Sequence, residues 1–332
     1  MLEISTRKVK TSKDFITIIS LKNQNIELEV LDIGATVYSI KTKDRNGNLE
    51  NIVLQYADIN LYTNNPSFFG ATIGRVAGRI KNGEFVLDNT KYNILTNEKS
   101  INTLHGGEKN ISYQPFDYKL IAENKVELKH TQKNIGDGFP ANVDICISYE
   151  LLDNAVVIYF DAIADEDTIL NLTNHNYYNL SGDYKATIEN HILEVPASQF
   201  VNVDDNQISY EIINLPQQMI FDDCRIGEKL NANCEYLSNG GIDHCYIVDG
   251  KVILEDNYSG RKMKVTSSYP AVQIYTMNYP DGLALSSGKP SKKYDAICFE
   301  PQFVGAFDGN YTNHPMRLNK SDKYEHFIRL EF

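Results

Sequence analysis

The alternation of apolar and polar residues with a period of two constrains the fold of this chain more than any other sequence feature. Near the N-terminus, Ile26, Leu28 and Val30 are separated by polar residues, which is the pattern of a strand with one buried face. Asn46-Gly47 follows, and this dipeptide readily adopts the positive φ angles of a hairpin turn. The chain is therefore predicted to fold from strands joined by tight turns.

Turn-forming residues recur along most of the chain. Their residue types tolerate left-handed backbone angles. Further turn candidates are Asn82-Gly83, Ser259-Gly260, Asp88-Asn89 and Asp153-Asn154. The predicted hairpins pair residues 85–87 with 92–94, 116–120 with 126–128, 145–151 with 156–163, and 252–254 with 263–265.

Helical patterning is weak throughout. No segment holds an apolar stripe of helical period for more than about three turns, and residues 226–237 come nearest. We therefore expect an all-β fold with little helix, a large antiparallel β-sandwich or barrel-like arrangement. A length of 332 residues could hold two domains, but no linker or low-complexity tract interrupts the pattern. Residues 1–332 are predicted to form a single domain.

Charge and cysteine content narrow the range of partners and compartments. The chain has 32 basic and 44 acidic residues and a formal net charge of −12, so its field opposes phosphate backbones and anionic membranes. We expect no nucleic-acid or membrane partner.

The N-terminus lacks an apolar leader and no apolar run could span a bilayer, which predicts a soluble cytoplasmic protein. The 5 cysteines show no CxxC spacing and are expected to be reduced thiols.

Residues 171–180 have a composition that is unusual for a buried strand. The stretch reads NLTNHNYYNL, and each polar group in it must find a hydrogen-bond partner, which could be a ligand. His175 at its centre has the side chain whose charge changes nearest neutral pH, and amides that fix its ring would suit a proton donor. A structural histidine with satisfied neighbours is the alternative interpretation of these residues taken alone.

Other stretches also carry polar groups that simple connections do not need. Residues 68–80 place Arg75 and Arg79 among small residues, and one of them could clamp a hydroxyl or carboxylate. No phosphate-loop motif is present there. His105 precedes paired glycines, which would set its ring at an open edge; a turn histidine is the alternative.

Two carboxylates complete the candidate set. Asp243 follows another pair of glycines and precedes a histidine. Glu300 ends an apolar strand and precedes a proline, and reduced solvation there tends to raise the pKa of a carboxyl into the range of a general base. Taken singly, each of these residues is more often structural.

Together, and in this order, these stretches resemble the aldose 1-epimerase family of β-sandwich enzymes over nearly the whole chain. Residues 171–180 meet the family signature around Thr-Asn-His except at Tyr178. Residues 74–80 look like GRVANRI, with Gly78 where an asparagine is common. Three further blocks complete the resemblance: LHGG at 104–107 matches the family's LHGG, VQIYT at 272–276 resembles its VQFYT, and CFEPQ at 298–302 resembles its CLETQ.

The resemblance implies a galactose mutarotase-like supersandwich and a site for a free monosaccharide. The catalytic residues it implies are His175 and Glu300, and the substrate-binding residues are Arg79, His105, Asp243 and Gln273. Tyr177 could offer an aromatic face to the sugar or could be a packing residue. The implied enzyme is a cofactor-independent isomerase, without a metal, that interconverts the α and β anomers of an aldohexose such as galactose or glucose. It is expected to be a monomer or a homodimer.

The mechanism implied is ring opening by a proton-transfer pair. Glu300 would act as the base on the C1 hydroxyl, and His175, as an imidazolium, would protonate the ring oxygen. Nearby Glu300 and Asp243 are expected to favour the charged form of His175, and burial to raise the pKa of Glu300. His105 could hydrogen-bond the ring oxygen or stabilise the developing charge.

Several features depart from the family pattern and keep alternatives open. The chain has 0 Trp, and Met277 and Val304-Gly305 replace residues that are usual near the sugar. A hexose-phosphate epimerase of the same fold or a non-catalytic sugar-binding or sensing module are the alternatives. A glycoside hydrolase using Asp243 and Glu300 would leave His175 without a role. A metal site built from His105, His175 and Glu300 lacks a short HxH or HExxH spacing.

Overall fold

The fold was analysed in a computed structural model that describes residues 2–12, 14–134, 136–232, 234–237 and 240–332. It consists mainly of β-strands joined by short connections. The first strands are β1 (Glu3–Lys10), β2 (Phe15–Lys22), β3 (Ile26–Leu31), β4 (Thr36–Lys43), β5 (Leu49–Asn51), β6 (Thr72–Ile73), β7 (Arg79–Ile80), β8 (Glu84–Leu87), β9 (Thr90–Asn93) and β10 (Thr103–Leu104). The next are β11 (Asp117–Ala122), β12 (Lys125–Gln132), β13 (Val143–Leu152), β14 (Ala155–Ala164), β15 (Thr168–Ile169), β16 (Thr173–Asn174), β17 (Tyr177–Tyr178), β18 (Ile192–Glu194), β19 (Ala197–Val203) and β20 (Ser209–Asn214). The last are β21 (Cys224–Arg225), β22 (Asp243–Val248), β23 (Val252–Asp256), β24 (Arg261–Ser267), β25 (Ala271–Tyr275), β26 (Ile297–Gln302), β27 (Arg317–Leu318) and β28 (Tyr324–Glu331).

Three large antiparallel sheets dominate the architecture. One has five strands in the order β1-β2-β3-β4-β5, and a second has nine in the order β11-β12-β13-β14-β28-β24-β23-β18-β21. The third has six strands in the order β17-β26-β25-β22-β19-β20. The C-terminal strand β28 lies between β14 and β24 in the middle of the nine-stranded sheet. Strands remote in sequence are therefore neighbours in two of the three sheets.

The predicted hairpins are confirmed. Strand β8 pairs with β9, β11 with β12, β13 with β14, and β23 with β24, all antiparallel. Asp88-Asn89, Asp153-Asn154 and Ser259-Gly260 lie at three of these turns. Alternating hydrophobicity and turn chemistry act locally, so adjacent strands could be paired from sequence.

The prediction of a hairpin turn at Asn82-Gly83 is wrong. Lys81–Gly83 forms a 3₁₀ turn in which Asn82 has a φ of 56°. The strands on either side do not pair with each other, because β7 pairs with β10 and β8 pairs with β9. The left-handed conformation is present as expected, but it turns the chain from one two-stranded pair to the next.

Helix is scarce, as predicted. Among the described residues, α-helix is confined to α1 (Ile226–Leu230), which lies at the start of the segment with the strongest helical pattern. Short 3₁₀ turns account for the other helical residues. None of the helices in the described part of the chain has the length and apolar character needed to cross a bilayer.

The largest apolar core joins the three sheets. Leu28 of the five-stranded sheet, Ile147 of the nine-stranded sheet and Ile274 of the six-stranded sheet are fully buried in it. Burial of such side chains stabilises each by about 1.5–3 kcal/mol relative to exposure. The sheets therefore pack face to face, and the predicted antiparallel β-sandwich is confirmed.

Candidate active site

The six-stranded sheet supplies one wall of the site. In its register Asp243 of β22 lies opposite Tyr275 of β25, and Gln273 lies opposite Glu300 of β26. Because side chains alternate between faces with a period of two, Gln273 and Tyr275 project from the same side of β25. The sheet thus brings together polar residues that are far apart in sequence.

Glu300 lies inside its strand. The sequence placed it at the end of an apolar strand, but β26 continues to Gln302, so that expectation is wrong. Glu300 lies opposite Gln273 of β25 and is only 3% exposed. Its Oε2 has no hydrogen-bond partner. A buried acceptor of this kind is available to a ligand.

His175 reaches Glu300 from the short connection between β16 and β17. Its backbone N–H donates to the carbonyl of Ala71 (2.9 Å), and its carbonyl accepts from Gly70 N–H (3.0 Å). Strand β17 pairs with β26, which brings the imidazole to the carboxyl. His175 Nε2 and Glu300 Oε1 are 3.6 Å apart, a separation that is long for a hydrogen bond and common for catalytic groups before a substrate binds.

The amides that flank His175 bond to other groups and do not fix its ring. Asn174 Nδ2 donates to the carbonyl of Gly70 (2.8 Å), and Asn176 Nδ2 donates to the hydroxyl of Tyr178 (3.0 Å). His175 Nδ1 is buried without a partner. The expectation that amides hold the imidazole is therefore wrong: Asn174 instead satisfies a buried backbone carbonyl and Asn176 a buried tyrosine hydroxyl.

Aromatic rings position the imidazole. The ring of Tyr177 stacks on His175 with centroids 5.0 Å apart and planes 20° apart. The ring of Phe68 is also stacked with that of His175, with centroids 6.1 Å apart. The ring of Tyr275 meets that of His175 edge-on, with centroids 6.4 Å apart. Tyr177 is 5% exposed, so its observed contact is with the histidine. Its predicted contact with a sugar stays a prediction.

The two arginines of residues 68–80 have different environments. Arg75 is buried and Nη2 donates to the carbonyl of Ala141 (2.7 Å), so it is a structural residue. Arg79 of β7 reaches the cavity, and its Nε and Nη2 donate to the carboxylate of Glu98 at 2.8–3.0 Å. The resemblance had implied a role for Arg79, whereas nothing in the sequence indicated its partner Glu98.

His105 lies next to His175 in the cavity wall. Its backbone is left-handed with a φ of 53°, and its Nδ1 accepts from the N–H of Gly78 at 3.3 Å. Its ring meets that of His175 edge-on with centroids 5.5 Å apart. The bond to Gly78 leaves the Nε2 of His105 as the nitrogen available to a ligand.

Asp243 and Gln273 form a preset polar pair. Gln273 Nε2 donates to Asp243 Oδ1 at 2.7 Å. Burial raises the pKa of Asp243, while the guanidinium of Arg79 opposes that rise. The pair therefore presents a fixed acceptor oxygen for hydroxyl groups.

All of the predicted site residues line the same cavity, which has a volume of about 580 Å³. This volume lies within the range of small-molecule sites, about 300–1,000 Å³. The predicted residues on its wall are Arg79, His105, His175, Tyr177, Asp243, Gln273 and Glu300.

Burial sets the protonation of the pair. It raises the pKa of Glu300 well above its usual value, helped by the charge of Asp243 and opposed by Arg79. Burial lowers the pKa of His175 to about 4 and that of His105 well below its usual value. The expectation that the free protein holds His175 as an imidazolium is therefore wrong, because burial penalises the charged forms of both partners more than their mutual attraction stabilises them.

His105, His175 and Glu300 are also close enough to hold a metal ion. One donor atom from each lies within 4.8 Å of the others. These are borderline-to-hard nitrogen and oxygen ligands of the kind zinc accepts. The same three groups suit proton transfer without a metal, and the expectation of a metal-free site stays a prediction.

Some cavity residues were missed at the level of sequence. Phe68 and Tyr275 lie in stretches that had been singled out, and the period of two along β25 places Tyr275 on the face of Gln273. Gln302 lies two residues after Glu300 on β26 and therefore on the same face of the strand, and its Oε1 is buried without a partner. The two-residue period of a strand is the sequence signal that predicts Tyr275 and Gln302 beside Gln273 and Glu300.

Comparison with known proteins places the chain among sugar-active relatives. It is 29% identical over 319 residues to a galactose mutarotase from Bos taurus, with 94% of this chain and 92% of the relative covered. It is 30% identical over 309 residues to an aldose 1-epimerase from Haemophilus influenzae, with 90% and 88% covered.

Solved structures share the fold. A galactose 1-epimerase from Lactobacillus acidophilus NCFM superposes with a TM-score of 0.88 at 24% identity, covering 100% of this chain and 98% of that one. An aldose epimerase homologue from C. elegans gives a TM-score of 0.84 at 24% identity, with 99% and 98% covered. The profile of the family described as aldose 1-epimerase matches residues 17–331. The chain therefore belongs to the aldose 1-epimerase family.

Proposed function

We propose that this protein is an aldose 1-epimerase that interconverts the α and β anomers of a free aldohexose such as galactose or glucose. The observation that carries the proposal is the buried pair of His175 and Glu300, whose nearest nitrogen and oxygen are 3.6 Å apart on the wall of a cavity large enough for a sugar. Anomer exchange needs one acid and one base at the hemiacetal, and this pair supplies both.

The reaction proceeds by ring opening and closure. Glu300 takes the proton of the C1 hydroxyl, the C1–O1 bond becomes a carbonyl as the C1–O5 bond breaks, and His175 protonates O5. Rotation about C1–C2 then presents the opposite face of the carbonyl to O5. In closure His175 takes the O5 proton back and Glu300 returns a proton to O1, so the pair ends as it began.

One proton serves the whole cycle. In the free protein burial favours that proton on Glu300, which is also its position in the complex with the open-chain sugar. In the complex with the closed ring it must lie on His175. The positive charge of Arg79 favours ionised Glu300, and sugar hydroxyls that replace water around the carboxylate act in the same direction.

The surrounding residues hold the sugar in place. The free edge of Arg79 donates to ring hydroxyls, and Asp243, fixed by Gln273, accepts from them. His105 lies beside the acid and offers a donor or acceptor to O5. Phe68 and Tyr275 border the cavity with aromatic surface, which suits the apolar faces of a pyranose.

The cavity is less suited to a sugar phosphate. Of the three cations on its wall, Arg79 is paired with Glu98 and Lys91 with Glu84 at 2.7 Å, so Lys81 is the one of the three without an ion pair among the described residues. A phosphate needs several unpaired donors at one point. A purely sugar-binding module would need neither a buried carboxyl nor an imidazole beside it, since each is costly to bury.

Polarimetry on freshly dissolved α-galactose and α-glucose tests the proposal. The protein is expected to accelerate the approach to anomeric equilibrium for a free aldose and to act poorly on galactose 6-phosphate. Preferential acceleration of the phosphate ester would indicate the hexose-phosphate epimerase. Galactose binding in a calorimeter without any acceleration would indicate the sensing module and contradict the enzyme.

We further propose that residues 1–332 form one domain in the cytoplasm, as a monomer or a homodimer. One domain is supported by the nine-stranded sheet, which combines strands from residue 117 to residue 331. A reducing compartment is supported by the cysteines, which are all free thiols. Cell fractionation tests the location, and light scattering on the purified protein tests the oligomeric state.

A further inference from the structure

Arg79 is held by a partner outside the cavity. Its Nε lies 3.0 and 2.9 Å from the two carboxylate oxygens of Glu98, and its Nη2 lies 2.8 Å from Oε1. The side chains are only 21% and 19% exposed. Paired, charge-assisted bonds of this kind fix the plane of a guanidinium as well as its position.

This pairing uses one edge of the guanidinium. Nε and Nη2 face Glu98, and all side-chain hydrogen bonds found for Arg79 within the described residues go to that carboxylate. Arg79 borders the cavity, whereas Glu98 does not. The Nη1 edge therefore remains for a ligand, with Glu98 behind it.

The segment that carries Glu98 is tied to the strand that precedes His105. Glu98 and Asn102 exchange two backbone hydrogen bonds of 3.1 Å. Asn97 donates from Nδ2 to the carbonyl of Leu104 (3.0 Å) and accepts at Oδ1 from its N–H (2.7 Å). Leu104 is in turn the register partner of Arg79. Glu98 is thus anchored to the same two-stranded pair as the arginine it holds.

The negative charges near Arg79 explain why its guanidinium needs to be held by Glu98. Asp243 and Glu300 both interact electrostatically with the guanidinium, and both line the cavity. An arginine without a partner outside the cavity would be drawn to these carboxylates. It would then occupy the space of the sugar and stabilise Glu300 as an anion, which makes a weaker base.

We infer that Glu98 is a positioning residue that holds Arg79 by one edge, so that the other edge meets substrate hydroxyls and the guanidinium does not collapse onto Asp243 and Glu300. The inference rests on the proposed epimerase function, and it adds to that function a residue that itself contacts no substrate.

The test compares Glu98→Gln, which removes the charge at nearly constant shape, with Glu98→Asp and with Glu127→Gln. Glu127 is a matched control because it pairs with Lys129 at 3.0 Å and does not border the cavity. We expect Glu98→Gln to raise KM for galactose about tenfold, since loss of fixed orientation is costly at a binding group. Glu98→Asp should fall between this variant and the wild type, and Glu127→Gln should match the wild type.

Two readouts separate positioning from a merely structural effect. The alkaline limb of the pH profile should move to lower pH in Glu98→Gln, because a released Arg79 approaches Glu300. In an Arg79→Ala background, Glu98→Gln should change KM no further, because Glu98 acts only through that arginine. Thermal unfolding of each variant identifies any loss of folded protein.

An unchanged KM and pH profile in folded Glu98→Gln would overturn the inference. So would an equally large effect of Glu98→Gln in the Arg79→Ala background. If the wild type binds galactose but does not catalyse mutarotation, the proposed function fails while the inference remains testable. The dissociation constant for galactose then replaces KM in the same comparison.

Discussion

His175 and Glu300 form a pair in which burial disfavours both charged forms. The pKa of Glu300 is raised and that of His175 is lowered, so neither group easily gains a net charge alone. A proton that passes between them through the sugar leaves the total charge of the pair unchanged. A dry pair of this kind can exchange acid and base roles at a small electrostatic cost.

The pH profile of kcat/KM should show the shifted pKa of the histidine. A second proton on the pair leaves no base, and burial places that protonation of His175 at about pH 4. Activity should therefore persist down to this region once spontaneous mutarotation has been subtracted. An acidic limb near the ordinary histidine value of about 6.5 would contradict the assignment.

Replacing Glu300 by glutamine should stabilise the free protein at neutral and alkaline pH. The pKa of Glu300 is raised in the folded state, so above the ordinary glutamate pKa the unfolded chain binds fewer protons than the folded one, and stability falls as pH rises. Glutamine has no such dependence. Urea unfolding of Glu300→Gln and wild type should show a difference that grows from about pH 4.5 towards pH 8. A constant difference would contradict the raised pKa.

At the scale of single residues, sequence patterns pointed to the two proposed proton-transfer groups but not to their protonation. His175 and Glu300 were found from motif and strand context, whereas the protonation of His175 was predicted wrongly. Protonation depends on burial in three dimensions, and the strands that flank β26 come from separate parts of the chain. Glu98 carries no local signal because the role inferred for it lies in a contact with Arg79 of β7, 19 residues earlier in the chain.

At the scale of elements, the short connections set the geometry of the site. His175 sits between two two-residue strands, and the amide of Asn174 in the first of them donates to the buried carbonyl of Gly70. His105 lies in a left-handed turn that continues into Gly106, with a φ of 84°. The paired glycines after His105 suggested an open edge, and the structure adds that Gly106 packs directly against residues 74 and 75.

Substituting Gly106 should misplace His105. A Cβ at this position would lie 2.3 Å from the carbonyl oxygen of Gly74 and 2.6 Å from the amide nitrogen of Arg75. Gly106→Ala should lower the free energy of unfolding by more than the roughly 1–2 kcal/mol of left-handed strain alone, and should lower kcat/KM. Gly288→Ala is the control, because Gly288 has a φ of 80° and no atom within 4 Å of its Cβ position. Equal losses of stability in both variants would show that the contact is unimportant.

At the scale of the whole molecule, the site forms only when distant parts of the chain pack together. Residues 68–79 and His105 come from the first third of the chain, and the six-stranded sheet takes three strands from the middle third and three from the last third. The all-β class and the hairpins could be predicted, because they follow from local periodicity and turns. The pairings of β14 with β28 and of β17 with β26 could not, because no local pattern specifies a partner more than a hundred residues away.

Unfolding should be a single cooperative transition. The largest core contains side chains from all three large sheets, so no sheet can open without exposing the others. Calorimetry should give a calorimetric enthalpy equal to the van't Hoff enthalpy. Two resolved transitions would contradict the single domain.

The central claim is that His175 and Glu300 act as one proton-transfer pair, and a double-mutant cycle on galactose mutarotation tests it most directly. His175→Asn and Glu300→Gln should each reduce kcat/KM by about 10²- to 10⁴-fold, while both variants remain folded. The double variant should be little worse than either single one, because the two groups work as a unit. Unchanged activity in either single variant would contradict the claim.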